Sequence, residues 1–290
     1  LIAIKIMGYG DDLLVTALAS KIKQKYPQRQ IVIGIAEKKH AYHSPIYDHN
    51  PNISDCRNLL KNKPIHIIDY HQWNRPYIDY KKSTNSYYVW NKKFKPVPGE
   101  IFFSKKELSE SKKIVDDAIK FWNTKNNKNF KKIIFLETSS TKINDKQFSI
   151  KHQNKDWGYN NWMQLAKELK NNYLIIQSVH EKTKKIKGVF SPISLSFRQA
   201  CAVLQQCDIY VGPEGGFGHV AAALRKKAVI YFGGWISPEN IGYDFHENIY
   251  FDDKRSPCGQ YGKLCDHCAT AREKITVDIF LNHFRNLSLD

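Results

Sequence analysis

At 290 residues, 42% of them hydrophobic and 25% charged, the chain is long enough for two cores and has the balance of a globular protein. It holds no run of about 18 apolar residues of the kind a membrane-spanning helix needs, and its apolar start, Leu1 to Ile6, is too short and wrongly flanked for a secretory leader, so a cytoplasmic location is expected. The net charge of +17 comes mostly from scattered lysines and attracts anions in general, but no helix-turn-helix, zinc-finger or RNA-binding signature makes nucleic acid a specific partner.

The apolar run 2–7 predicts a first buried strand. The turn Met7-Gly8-Tyr9-Gly10-Asp11-Asp12 follows, then an amphipathic helix over 12–25 that Pro27 ends. Ile31 to Ile35 reads as the next strand, a right-handed β-α-β start to a doubly wound sheet. A further strand covers Ile65 to Ile68. Between 70 and 95, Tyr70, Trp73, Tyr77, Tyr80, Tyr87, Tyr88 and Trp90 suit either sugar stacking or a core. A helix over 105–122 closes this half. The polar, aperiodic stretch Thr124 to Asn129 predicts an interdomain linker, giving domains over 1–125 and 126–290. The alternation then restarts, with strands at 132–136, 173–177, 208–211 and 228–232 and helices at 160–170, 196–206, 216–224 and 276–286. Ser196 and Gln199 form a capping box at the start of one of these helices.

The segment from Val211 to Leu224 carries the most chemistry. A strand stops at Gly212-Pro213, a carboxylate (Glu214) stands beside Gly215 and Gly216, and Phe217, Val220, Ala221 and Leu224 recur at helical spacing. In such strand–turn–helix units ligands bind at the carboxyl end of the strand. Bare N–H groups and the helix dipole favour a phosphate there, while Glu214 suits hydroxyls. Phosphate donors beside a hydroxyl acceptor describe a nucleotide-sugar site; the alternative is a buried turn whose glycines serve only tight packing. Of the six cysteines, Cys56, Cys201 and Cys207 read as core thiols. Cys258, Cys265 and Cys268, with His267 beside them, are the strongest metal-like pattern: three thiolates plus an imidazole can close a tetrahedral zinc or iron site. Without metal they are structural thiols, since a reducing cytoplasm disfavours a disulfide.

In order along the chain, five segments resemble glycosyltransferase family 9, the bacterial heptosyltransferase family. They are Gly10-Asp11-Asp12-Leu13-Leu14-Val15-Thr16, the hydroxyl loop Thr138-Ser139-Ser140, Lys155-Asp156-Trp157-Gly158 with Trp162, Leu195 to His219, and Phe232-Gly233-Gly234-Trp235-Ile236-Ser237-Pro238. Glu214 stands where the family has Asp, Gly215 where it has Ser or Thr, and Gly158 where it has Pro. The resemblance implies a GT-B fold, two Rossmann-like doubly wound α/β domains facing a cleft, with acceptor in the first and donor in the second. It further implies an inverting, metal-independent transfer from a nucleotide diphosphate sugar, ADP-heptose being favoured, to lipopolysaccharide or a related surface glycan. By its motif position Asp11 would be the base, although Asp11 or Asp12 could also cap the helix beginning there. Thr138, Ser139, Lys155 and the N–H groups of Gly215 and Gly216 would hold the leaving diphosphate, with His219 near it. Glu214 would hold sugar hydroxyls and Glu181 the ribose. A basic surface would allow peripheral contact with anionic lipid. The other readings are a relative using another nucleotide sugar or a protein acceptor, and a non-catalytic nucleotide- or glycan-binding module.

Overall fold

The computed structural model describes residues 7–138, 153–180, 183–192, 194–260 and 264–287. The expected strand 2–7 (apart from Met7), Ser139 and Glu181 lie outside the described residues. The first half contains α1 (Tyr9–Lys25), β1 (Gln30–Ile35), β2 (His40–Ala41), β3 (Ile65–Asp69) and α2 (Lys105–Asn123). The second contains β4 (Ile133–Leu136), α3 (Tyr159–Leu169), β5 (Leu174–Gln177), α4 (Phe197–Gln206), β6 (Ile209–Pro213), α5 (Gly216–Ala223), β7 (Lys227–Gly233), α6 (Pro238–Ile241), β8 (Glu247–Tyr250), α7 (Asp266–Lys274) and α8 (Val277–Asn286).

Two sheets result. In the first, β1 pairs parallel with β3 and antiparallel with the two-residue β2. The second is parallel throughout, in the order β5-β4-β6-β7-β8. Its strands β4, β5 and β6 are buried along their whole length, as continuous apolar runs in a parallel sheet covered on both faces should be. On one face Trp157, Trp162, Tyr231 and Phe280 pack together, with Trp157 and Trp162 edge-to-face at 4.8 Å. On the other, Phe135, Cys201, Leu204, Tyr210 and Val220 belong to a core that continues into the first half.

Among the described residues, the expected elements are present within a few residues, and both hydroxyls of the capping boxes at Ser104 and Ser196 receive their backbone N–H groups. The pieces not anticipated are short or polar: β2, β8 and α6 span four residues or fewer, and α7 (DHCATAREK) has little apolar periodicity. Cys201 and Cys207 are buried as expected, and burial pushes the Cys207 thiol pKa well up. Cys56 is not core: it is half-buried on a turn fixed by Arg57 and Asn58 donating to the Asp55 carboxylate. The 124–129 stretch is an ordered turn, with the Trp122 indole N–H donating to Lys128 O at 2.7 Å.

The aromatic stretch 70–95 is mostly packing. Tyr70 and Trp90 are buried, whereas Trp73 and Tyr87 are exposed. Trp90 meets Trp235 edge-on at 4.9 Å and its indole N–H donates to Trp235 O, which ties this stretch to the second half. Lys95 Nζ to Glu239 O and Asn240 Nδ2 to Asn91 O extend the same seam. A second tie is Arg198 on α4. It binds the Glu107 carboxylate on α2 and donates to the carbonyls of Pro45 and Phe102.

Candidate active site

In the parallel sheet the chain leaves β4 for β5 on one side and reaches β6 on the other. The carboxyl ends of β4 and β6 therefore form the topological switch point, where an open α/β sheet leaves a crevice. Glu137 and Thr138 follow β4 there, and the Glu214-Gly215-Gly216 turn follows β6. Both Glu137 and Thr138 are buried. Glu137 escaped the sequence reading, although a carboxylate directly before a Thr-Ser-Ser run at a strand end was a visible signal.

Gly215 has φ +149°, and a Cβ there would meet nothing within 4 Å. The backbone conformation asks for glycine, and the space beside it stays open for a ligand. Glu214 is only 2% exposed and its N–H is bound by Tyr231 O. Its carboxylate pairs with Lys155 Nζ at 2.6 Å, and the same ammonium lies 4.4 Å from the centroid of the Trp235 ring. Two residues expected to grip different parts of the donor are thus each other's partner. Lys155 is not a solvated surface lysine. It is placed by its neighbours: Asn154 Nδ2 donates to Gln260 O, and Trp157, fully buried, donates its indole N–H to Ile275 O. Thr138 Oγ1 accepts from Gln177 Nε2 at 3.4 Å.

The N-terminal motif meets this turn from the opposite side. A Cβ on Gly10 would stand 3.0 Å from His219 Cδ2 and 3.4 Å from Gly216 Cα, so a side chain there would crowd the approach of α1 to α5 and His219 would have to give by a few tenths of an ångström. Tyr9 stacks on Phe197 at 4.5 Å, and Phe197 packs tilted against Phe217 at 4.6 Å, which fixes the approach. Neither Asp11 nor Asp12 caps α1. The helix starts at Tyr9, with Gly8 as a cap that offers no side chain. Asp11 instead receives the Tyr77 hydroxyl on Oδ1 at 2.7 Å and lies 3.9 Å from Arg75 Nη1 through Oδ2. Asp12 is fully buried and accepts from Ser44 Oγ at 2.5 Å and Tyr47 Oη at 3.1 Å, an anchor for the 44–47 turn. His219 is buried, with Nδ1 2.8 Å from the Tyr243 hydroxyl. Burial first, then the charges of Lys155 and His246, hold its pKa at about 3, so it is a neutral imidazole at neutral pH.

Cys258 Sγ lies 3.3 Å from Cys268 Sγ and 3.7 Å from Cys265 Sγ. The edge of a tetrahedron with metal–sulfur bonds of about 2.3 Å is about 3.8 Å, so the triad is close to ligand geometry. A hydrogen bond from Cys268 outweighs burial and brings the Cys258 thiol down to about 7. His267 is not the fourth ligand. Its Nε2 faces Ser256 Oγ and Gly234 O, and its Nδ1 faces Asp253, so only the three thiols converge among the described residues.

No curated protein matches the chain. Solved structures do. TibC from enterotoxigenic E. coli H10407, an iron-containing dodecameric glycosyltransferase, is 14% identical with a TM-score of 0.61 over 97% of this chain and 75% of its own. The E. coli ADP-heptose lipopolysaccharide heptosyltransferase II is 12% identical with a TM-score of 0.54, covering 97% of this chain and 96% of its own. A family 9 glycosyltransferase from Veillonella parvula is 11% identical with a TM-score of 0.52, over 85% and 84%. At such identities these likenesses establish a shared GT-B fold. The sequence profile of glycosyltransferase family 9 (heptosyltransferase) matches residues 90–241, just over half of the chain and the whole stretch from Trp90 to α6, which includes the Glu214-Gly215-Gly216 turn. The chain therefore belongs to glycosyltransferase family 9 and is a glycosyltransferase of heptosyltransferase type.

Proposed function

We propose that the protein transfers heptose from ADP-heptose, with inversion, to a hydroxyl of lipopolysaccharide or a related bacterial surface glycan. In this reading residues 1–125 form the acceptor domain and 126–290 the donor domain. The observation that carries it is the contact of Gly10 with Gly216 and His219, which brings the Asp11 segment against the donor-side turn. The acceptor oxygen attacks the anomeric carbon, its proton passes to Asp11, and the anomeric C–O bond breaks with its electron pair leaving on the diphosphate. A positioned base contributes about 10²–10⁴ in rate. Thr138, Lys155, the Gly215 and Gly216 N–H groups and the α5 dipole receive the leaving charge, and Glu214 takes sugar hydroxyls. Ser139 and Glu181 keep their proposed parts at the diphosphate and ribose. The donor choice is supported by the structure of TibC with ADP-D-β-D-heptose, which is 13% identical to this chain with a TM-score of 0.56. Among the described residues no helix is long and apolar enough to cross a membrane. The +17 charge supports peripheral work at the anionic inner face of a membrane, in the cytoplasm.

Thermal unfolding with ADP, GDP, UDP and CMP tests the donor. A nucleotide at 100 times its Kd stabilises the fold by about 2.7 kcal/mol, a rise of roughly 5–10 °C. ADP alone is expected to give it; a rise with another nucleotide instead would replace the donor but keep the mechanism.

The cysteine triad is proposed to hold one structural zinc or iron ion, separate from catalysis. Metal analysis of purified protein is expected to find about one ion per chain, lost in Cys258→Ser. Because thiolates are the ligands, affinity should fall on acidification. Protein that carries neither metal would make the triad structural thiols.

A further inference from the structure

Tyr77 is 66 positions from Asp11 in sequence, yet its hydroxyl donates to Asp11 Oδ1 at 2.7 Å. Its ring is fixed independently, stacked on Trp90 at 6.5 Å and tilted against Phe94 at 6.0 Å, and Tyr77 O accepts from Asn91 N. Burial, then the Asp11 charge, push its hydroxyl pKa well above the ordinary value, so it remains a donor. Beside it stands Arg75. A carboxylate next to a guanidinium ordinarily closes into a short bidentate pair. Here Arg75 Nη1 stays 3.9 Å from Asp11 Oδ2, beyond hydrogen-bond range. Arg75 is held back on its other edge: Nε donates to Tyr80 Oη at 2.9 Å, and Tyr80 in turn donates to Gln72 O. The guanidinium carbon sits 5.8 Å from the ring centroids of both Tyr77 and Tyr88. The two oxygens of Asp11 are thereby made different. Oδ1 is filled by a neutral donor, and Oδ2 faces a cation that does not bind it directly.

We propose that Tyr77 is a positioning residue for the transfer step, holding the Asp11 carboxylate so that Oδ2 is presented to the acceptor hydroxyl instead of closing onto Arg75. The inference rests on Asp11 being the base. In the step itself the acceptor O–H bond breaks and its proton goes to Oδ2. The freed electron pair forms the new bond to the anomeric carbon, and the old anomeric C–O pair departs with the diphosphate. Without the Tyr77 hydroxyl the carboxylate can rotate into a paired geometry with Arg75, where Oδ2 is occupied.

The test compares the wild type, Tyr77→Phe, the double variant Tyr77→Phe/Arg75→Met, and Asp11→Asn as full chains. The probe is hydrolysis, with water as the acceptor, of whichever of ADP-heptose, UDP-glucose and GDP-mannose the wild type turns over fastest. Phenylalanine keeps the ring packing, so the unfolding temperature and the donor KM of Tyr77→Phe should match the wild type while kcat falls about 10–100-fold. Removing the competing cation should recover part of that loss, about 3–10-fold in kcat, in the double variant; a purely structural role would make the double variant slower still. A Tyr77→Phe kcat equal to the wild type, or a double variant no faster than the single, overturns the proposal provided Asp11→Asn is inactive. An active Asp11→Asn overturns both this proposal and the base assignment beneath it.

Discussion

Asp11→Asn is expected to lower kcat by about 10²–10⁴-fold while leaving nucleotide binding intact. Asparagine keeps the size of the side chain and can still accept from Tyr77, so neither α1 nor its contact with α5 should move. What disappears is the capacity to take a proton. Because the helix does not rely on Asp11 as a cap, the change should not reduce stability through the roughly 1 kcal/mol that capping residues provide. Steady-state turnover and ADP titration of the same preparation check the split. Loss of both together would mean that Asp11 shapes the donor site instead of serving the acceptor.

The largest effect on stability is expected from Glu107→Gln. Arg198 is 9% exposed in its side chain and reaches Glu107 from α4 to α2. Glutamine at this third helical position still suits a capping box with Ser104, so the substitution isolates the charge. Leaving a buried guanidinium without its anion costs about 3–5 kcal/mol, nearer the lower end because Glu107 is 21% exposed. Urea unfolding at neutral pH measures it. The pH dependence follows from the carboxyl itself. Burial works to raise its pKa, but hydrogen bonds from Arg198 and Ser104 prevail and hold it at about 2. An unfolded glutamate titrates at about 4.3. The contribution is therefore fully present above that value and is lost as pH falls toward about 2. The gap between wild type and variant should narrow across that acid window.

How far the residues spoke for themselves depended on the range of the interaction. Periodicity and caps are local, and α2, α4 and strands β4 to β7 of the parallel sheet were legible from them. The Gly212–His219 turn was legible for the same reason: strand, glycine and helix follow one another in sequence. The aromatic stretch was ambiguous because stacking on a sugar and packing on Trp235 select the same residue types. Nothing near Lys155 announces that its partner is Glu214, and nothing near Asp11 announces Tyr77, since both pairings are made only when distant segments meet. His267 misled through proximity. It directly precedes Cys268, but in α7 adjacent residues point in different directions, and its ring turned to Gly234 and Ser256.

The close approach of Gly10 to Gly216 sets the amino ends of two helices against each other. Each end carries about half a positive elementary charge, and the chain already sets the carboxylates of Asp11, Asp12 and Glu214 beside this meeting of like poles. An anion bound there is attracted by both ends at once and relieves their repulsion. In the proposed function, a donor diphosphate at this junction would serve both helices as a shared counter-charge as well as being the leaving group.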